Sequence, residues 1–432
     1  MKNRNIMTVV AVVATLCVVA LAGTAWWLLR KKSPGTTGAL ARLPAGSFVV
    51  VTGNLEAVRQ FPAARNLRDW ITRERGSGSE GGRRWNEVVQ QCGFDPWERL
   101  SGFAVAADRR VLQGQSQSDF VAYLDGRFTE AEATRCITAV VSQGRATLTT
   151  SQVNGRTVHA LTASNGRATQ IHPMANSVLV TERPYLDTAL RLAHSEMPGL
   201  TADGDLGQML RALGADNAIT AAVDVAAVRA QNERTVNQTV DDLVRENPQF
   251  PDLALAKQAR TGGLGVRLSG GDVSVTARLT FPQPAQAASF TRAAQGLYTR
   301  RRTDITDAVR QAQGGLNSLR LLSRLTNPEM NARFETVDAA FSTAQQLVEQ
   351  VQFTQDGSST VATLRITSAQ VHTFEEAARA MRDIIEEGSR RRGGGLMRPR
   401  GNPFDQRVEG DGGAPLLREP MPAANTVDGA VP

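Results

Sequence analysis

Four histidines, His159, His172, His194 and His372, have the side chains best suited to holding a metal or moving a proton at neutral pH. Their spacing matches no ligand set. His159 and His172 fall on neighbouring strands of an expected meander and could face each other, but a two-ligand site lacks its third and fourth members. Asp203-Gly204-Asp205 resembles a fragment of a calcium loop without the glycine at the sixth position or the distal glutamate. Gly76-Ser77-Gly78-Ser79-Glu80-Gly81 spells G-x-G-x-x-G. A dinucleotide site needs that turn directly after a buried strand. Here Arg73-Glu74-Arg75 precedes it, so it reads as a loop. The serine-nucleophile, zinc-protease and phosphate-loop signatures do not occur. Paired carboxylates leave no spacing in a sequence, so a hydrolase built on them stays open as an alternative. No catalytic, cofactor-binding or metal-ligating residue is assigned.

Cysteine chemistry is equally sparse. Cys17 lies inside an apolar run, leaving Cys92 and Cys136. An even pair in an exported body is what one disulfide looks like. Two buried free thiols, packing as small hydrophobes, are the other reading.

The elements that would position such groups begin with an anchor. Ile6 to Leu29 is an uncharged stretch, closed by Trp26 and Trp27 and followed by Arg30, Lys31 and Lys32. That length spans a bilayer as a helix, and indoles and cations prefer its interface. The run continues past the small residues Ala20-Leu21-Ala22, which favours a retained anchor over a cleaved leader. Lys2 and Arg4 nearly balance the following cations. The short amino-terminal tail is expected in the cytoplasm and the body in the periplasm, on a single pass through the inner membrane.

The net charge of +7 mostly belongs to this anchor. Without its five flanking cations, 44 basic residues face 42 acidic ones. A body so close to neutral gives no electrostatic reason to bind nucleic acid. Lys257 is its single lysine, a bias that codon composition explains as well as any anion-binding role.

Past the anchor, the pattern is α+β: repeated units of antiparallel sheet backed by helices on one face. Residues 33–43 read as a linker, 44–198 and 199–387 as two α+β domains, the second with a helical insert, and 388–432 as a disordered Gly/Pro-rich tail. Asn54 is placed to cap a helix, and Gly93 to end one. Asn154-Gly155 and Asn165-Gly166 predict hairpins joining strands over 147–153, 156–161, 168–172 and 177–181. Gly270-Gly271 predicts another. Asn327-Pro328 must break the helical insert.

RLPAGSFVVVTGNLEAVRQFPAAR, CGFDPWERLSGFAVA and DFVAYLDGRFTEAEATRC resemble anchored envelope proteins of GC-rich bacteria, the myxobacterial, DUF3352-like group. The resemblance covers roughly residues 43–192. It implies that Cys92 and Cys136 are a structural pair, and it implies no activity. The expected function is a non-enzymatic, membrane-tethered binding or scaffold protein, needing no cofactor, with a protein or cell-wall partner. A carboxylate hydrolase or an anchored sensor is the alternative.

Overall fold

The computed structural model describes residues 40–64, 80–108, 120–142, 147–162, 168–201, 203–324 and 328–393. The chain divides into the unit Met1–Met381 and the unit Arg382–Pro432. Of the second, the described part is helical to Gly393. The expected anchor, with Trp26, Trp27, Arg30, Lys31 and Lys32, lies outside the described residues, and so does the tail from 394. No helix among the described residues is long and apolar enough to cross a membrane.

Among the described residues, twelve antiparallel strands form one sheet. In chain order they are β1 (Ser47–Asn54), β2 (Leu100–Asp108), β3 (Phe120–Gly126), β4 (Thr147–Val153), β5 (Arg156–Thr162), β6 (Ala168–Met174), β7 (Ser177–Glu182), β8 (Ile219–Asp224), β9 (Thr261–Ser269), β10 (Asp272–Thr280), β11 (Gln352–Asp356) and β12 (Ser359–Ile366). Across the sheet the order is β11-β12-β10-β9-β8-β1-β2-β3-β7-β6-β5-β4. The expected halves therefore share one sheet, joined where β1 meets β8 over Val49↔Val223 to Gly53↔Ile219.

The two sides of that join carry the same register. Thr52 opposes Ala104, which opposes Tyr123, which opposes Leu179, which opposes His172. In the other half Ala222 opposes Gly263, then Arg278, Val361 and Thr354. Hydrogen bonds at matching places recur as well. Gly126 N–H donates to Asn176 O, and Phe281 N–H to Ser358 O. Asn54 and Asp224 each end a strand and accept from the amide three residues on, capping α1 (Leu55–Gln60) and α7 (Val225–Gln231). The first half adds the outer hairpin β4–β5.

Helices cover both faces of the sheet, where the sequence pattern suggested one. The reason is legible in β1, a continuous apolar run that supplies both alternations. On one face Val50, Ala104, Tyr123, Leu179 and Ala222 pack under α5 (Leu186–Ala193) and α6 (Asp205–Leu213). On the other, Ile171 and Val178 meet Phe128 and Ala133 of the β3–α4 region, α4 being Glu130–Ser142. That face continues into the second half, where Thr291 of α9 (Pro284–Arg324) meets Thr360 Oγ1 at 2.8 Å.

The remaining helices refine the expected boundaries. α2 (Glu80–Cys92) starts within the stretch expected to be a loop, and ends at Gly93 with φ +76°. Between it and β2 lies the short α3 (Pro96–Arg99), and α8 (Glu233–Glu246) follows α7. α9 runs unbroken for 41 residues, and α10 (Pro328–Gln350) begins at the expected proline. α11 (Ser368–Gly393) continues past residue 388, its start fixed by a Thr367–Gln370 capping box. β11 has no apolar alternation to betray it in sequence.

The last residues of the expected linker contribute to the core through Leu40, 4% exposed, and Leu43, 0% exposed, while Ala41 is exposed. Gly199, near which the second domain was expected to begin, presses on them instead. A Cβ there would sit 2.0 Å from Ala41 O, and Leu200 N–H donates to Leu43 O at 2.7 Å. Gly199→Ala is expected to destabilise the fold by about 3 kcal/mol, the upper end for overpacking, seen as a lower urea midpoint. An unchanged midpoint would mean that the two segments are free to separate.

Candidate functional site

The cluster that combines burial, charge and position sits where the chain enters the sheet. Arg42 lies near the end of the expected linker, and its guanidinium grips Asp125 at the end of β3. Nη1 donates to Oδ1 at 2.9 Å and Nη2 to Oδ2 at 2.6 Å, while Nη1 also donates to Ser177 Oγ at 3.1 Å. The fork matches the carboxylate, as a bidentate pair requires. The same guanidinium lies 4.8 Å from the Tyr123 ring centre. Asp125 is 5% exposed, and it is the one carboxylate buried among the described residues.

Tyr123 completes the cluster. Its hydroxyl donates to Ala189 O at 3.3 Å, and burial pushes the phenol well above its ordinary range despite the lowering effect of Arg42. The phenol therefore stays neutral, and its hydroxyl is engaged by α5. These groups hold elements together: the entering chain, β3, β7 and α5.

The histidines fall differently from the sequence expectation. His159 opposes Ile171, the neighbour of His172, so successive positions put the two imidazoles on opposite faces of the sheet. His172 instead meets His194, which lies just past α5. Their Nε2 atoms are 3.2 Å apart and their ring centres 5.5 Å. Those two distances leave the rings nearly end to end, with the nitrogens pointing at each other. That is hydrogen-bond geometry, with room for one proton between them and no convergence on a metal. His172 Nδ1 lies 2.7 Å from Thr157 O and so donates there, which makes its Nε2 the acceptor and His194 the donor. Sequence spacing could not show this pair, because His194 reaches the meander from a helix end. No group of three or more His, Cys, Asp or Glu that could hold a metal occurs among the described residues.

His159 is 5% exposed, its Nδ1 3.0 Å from Thr150 Oγ1 and its Nε2 without a partner. Burial lowers its proton affinity, and His172 lowers it further. His194 is lowered by burial first, then by Arg156 and His172, against an opposing pull from Glu196. Both groups bind protons more weakly folded than unfolded. Their stabilisation is therefore complete above the unfolded imidazole value of about 6.5 and is lost as pH falls toward the depressed folded values. Urea midpoints should fall between pH 7.5 and 5, with a shallower fall in His194→Asn. Equal slopes in the two proteins would remove His194 from the effect.

Cys92 and Cys136 form a disulfide joining the end of α2 to the middle of α4. Cys92 is fully buried, among Val88, Ala139 and Phe94. Asp241 and Asp242 are surface partners of Lys257 and Arg245. Gly204 and Asp205 open α6. Of the G-x-G-x-x-G stretch, Glu80 and Gly81 lie in α2 and the rest lies outside the described residues.

No family model and no curated protein matches this chain. Among solved structures, crystal form III of TP0453 covers 78% of this chain and 97% of its own, at 10% identity and a TM-score of 0.37. Crystal form IV covers 78% and 96%, at 13% identity and 0.34. A likeness of that size carries no argument about this protein.

Proposed function

We propose that this is a non-enzymatic binding or scaffold protein of the bacterial envelope, tethered to the inner membrane by residues 6–29 and carrying its sheet in the periplasm. The observation that supports it best is the Arg42–Asp125–Ser177 clasp. It ties residue 42, close after the proposed tether, to β3 and β7, which would give the tether one defined point of attachment on the sheet. Asp125, Tyr123 and the paired histidines are engaged in holding elements together, which favours binding over chemistry. The Cys92–Cys136 bond suits an oxidising compartment. The matching registers favour two copies of one α+β unit fused through β1 and β8, within the DUF3352-like kind of envelope protein that residues 43–192 resemble.

A topology fusion tests this reading. Alkaline phosphatase joined after Pro432 should be active, and Cys92–Cys136 should be oxidised in cell extracts. Chemical crosslinking in intact cells should then trap a protein or cell-wall partner. An inactive phosphatase with reduced cysteines would place the body in the cytoplasm and overturn the proposal.

A further inference from the structure

We propose that β4 is an edge through which two copies of this chain pair, antiparallel and in register about Thr150. The sheet ends in β4 on one side and β11 on the other, and the two ends are built differently. β11 has five residues and ends in Asp356. Tyr298 of α9 lies against its Phe353, with ring centres 5.5 Å apart. Gln355 Nε2 also donates to Pro284 O at the start of α9. A short strand ending in a charge is how proteins blunt a sheet edge, here with α9 along one face and four of the five residues exposed. β4 has seven residues, Thr147-Leu-Thr-Thr-Ser-Gln-Val153, with no charge, proline or glycine, and five of the seven are exposed.

The hairpin fixes which backbone groups face outward. Asn154 and Gly155 have φ +52° and +73°, the turn that makes Val153 and Arg156 a hydrogen-bonded pair. Alternation then directs the amides and carbonyls of Val153, Ser151, Thr149 and Thr147 toward β5. Those of Leu148, Thr150 and Gln152 face away from it. This outward set is symmetric about Thr150. A two-fold axis there makes Thr150 meet its own copy and Leu148 meet the copy's Gln152, satisfying all three residues on each strand. On the other alternation Thr149 meets Ser151, a favourable cross-strand hydroxyl pair.

A second copy is the occupant that this symmetry and the absence of charge both favour. A peptide of either charge would find no complementary group along the strand. Closed two-fold pairing also stops at a dimer. The inference does not depend on what the body binds or on which side of the membrane it lies.

The test uses the full chain in detergent, with Cys17→Ser to remove the third cysteine. Across the axis the two Thr150 Cα atoms would be about 5.5 Å apart, within disulfide reach. Thr147 would lie about 20 Å from its own copy, six residues of stagger. Mild oxidation should link Thr150→Cys at least tenfold more than Thr147→Cys. Thr150→Lys, placing two ammonium groups face to face, should sediment as a monomer with an unchanged circular dichroism spectrum. Equal crosslinking of the two cysteine variants overturns the proposal. So does a wild-type chain that sediments as a monomer at every concentration, with the edge left open or taken by another polypeptide.

Discussion

Arg42→Met should lower the stability of the body by about 3 kcal/mol, measured as a shift in the urea midpoint at constant slope. Breaking a buried ion pair from one side costs about 3–5 kcal/mol, because the remaining charge stays desolvated. The lower end applies here, since the Arg42 side chain is 22% exposed against 7% for Asp125. Methionine keeps the apolar stem over Tyr123, so the loss isolates the charge. Arg42→Met with Asp125→Asn should recover most of the deficit, as the stranded charge is removed with its partner. If the single variant unfolds within 0.5 kcal/mol of the parent, a threshold set by ordinary surface substitutions, the clasp is merely a solvated pair. The support that the clasp lends to the proposed function would fall with it.

Removing the disulfide should have a comparable effect by another route. The bond closes a loop of sequence separation 44. The chain-entropy estimate for such a loop is about 4 kcal/mol. The loop holds β2 and β3, two central strands, while the bond itself lies on the helices outside them. Cys92→Ala with Cys136→Ala is therefore expected to lower the urea midpoint, and proteolysis should start in α2, which is tied to the body by that bond and by its contact with α4. A double variant as stable as the parent would mean that the packing of Val88 and Ala139 alone fixes these helices.

Strands proved the most legible part of the sequence, for local reasons. The Asn-Gly turn at 154–155 fixed β4 and β5 nearly to the residue, because a two-residue turn dictates register. Gly270 and Gly271, at φ +59° and +94°, did the same for β9 and β10. Asn54, Gly93 and Pro328 mark helix ends through side-chain or ring chemistry that a sequence displays directly. β11 was hidden because four of its five residues are exposed, which leaves no apolar alternation to read. The candidate site was hidden for a stronger reason. Arg42 and Asp125 lie 83 positions apart, and nothing local marks either as buried. The disulfide was foreshadowed by cysteine number and by resemblance, whereas the His172–His194 contact depends on where α5 happens to stop.

The β1–β8 join also sets a schedule for synthesis. β1 emerges from the ribosome early, yet its partner on one side, β8, begins at Ile219. At about 5–20 residues per second, the chain needs roughly ten to thirty seconds to make the intervening residues. During that interval β1, one of the most apolar strands, has one hydrogen-bonding side with no native partner yet made. A cell producing this protein must keep that strand from finding a partner on a neighbouring nascent chain, so the middle of the finished sheet is its most vulnerable line while it is being built.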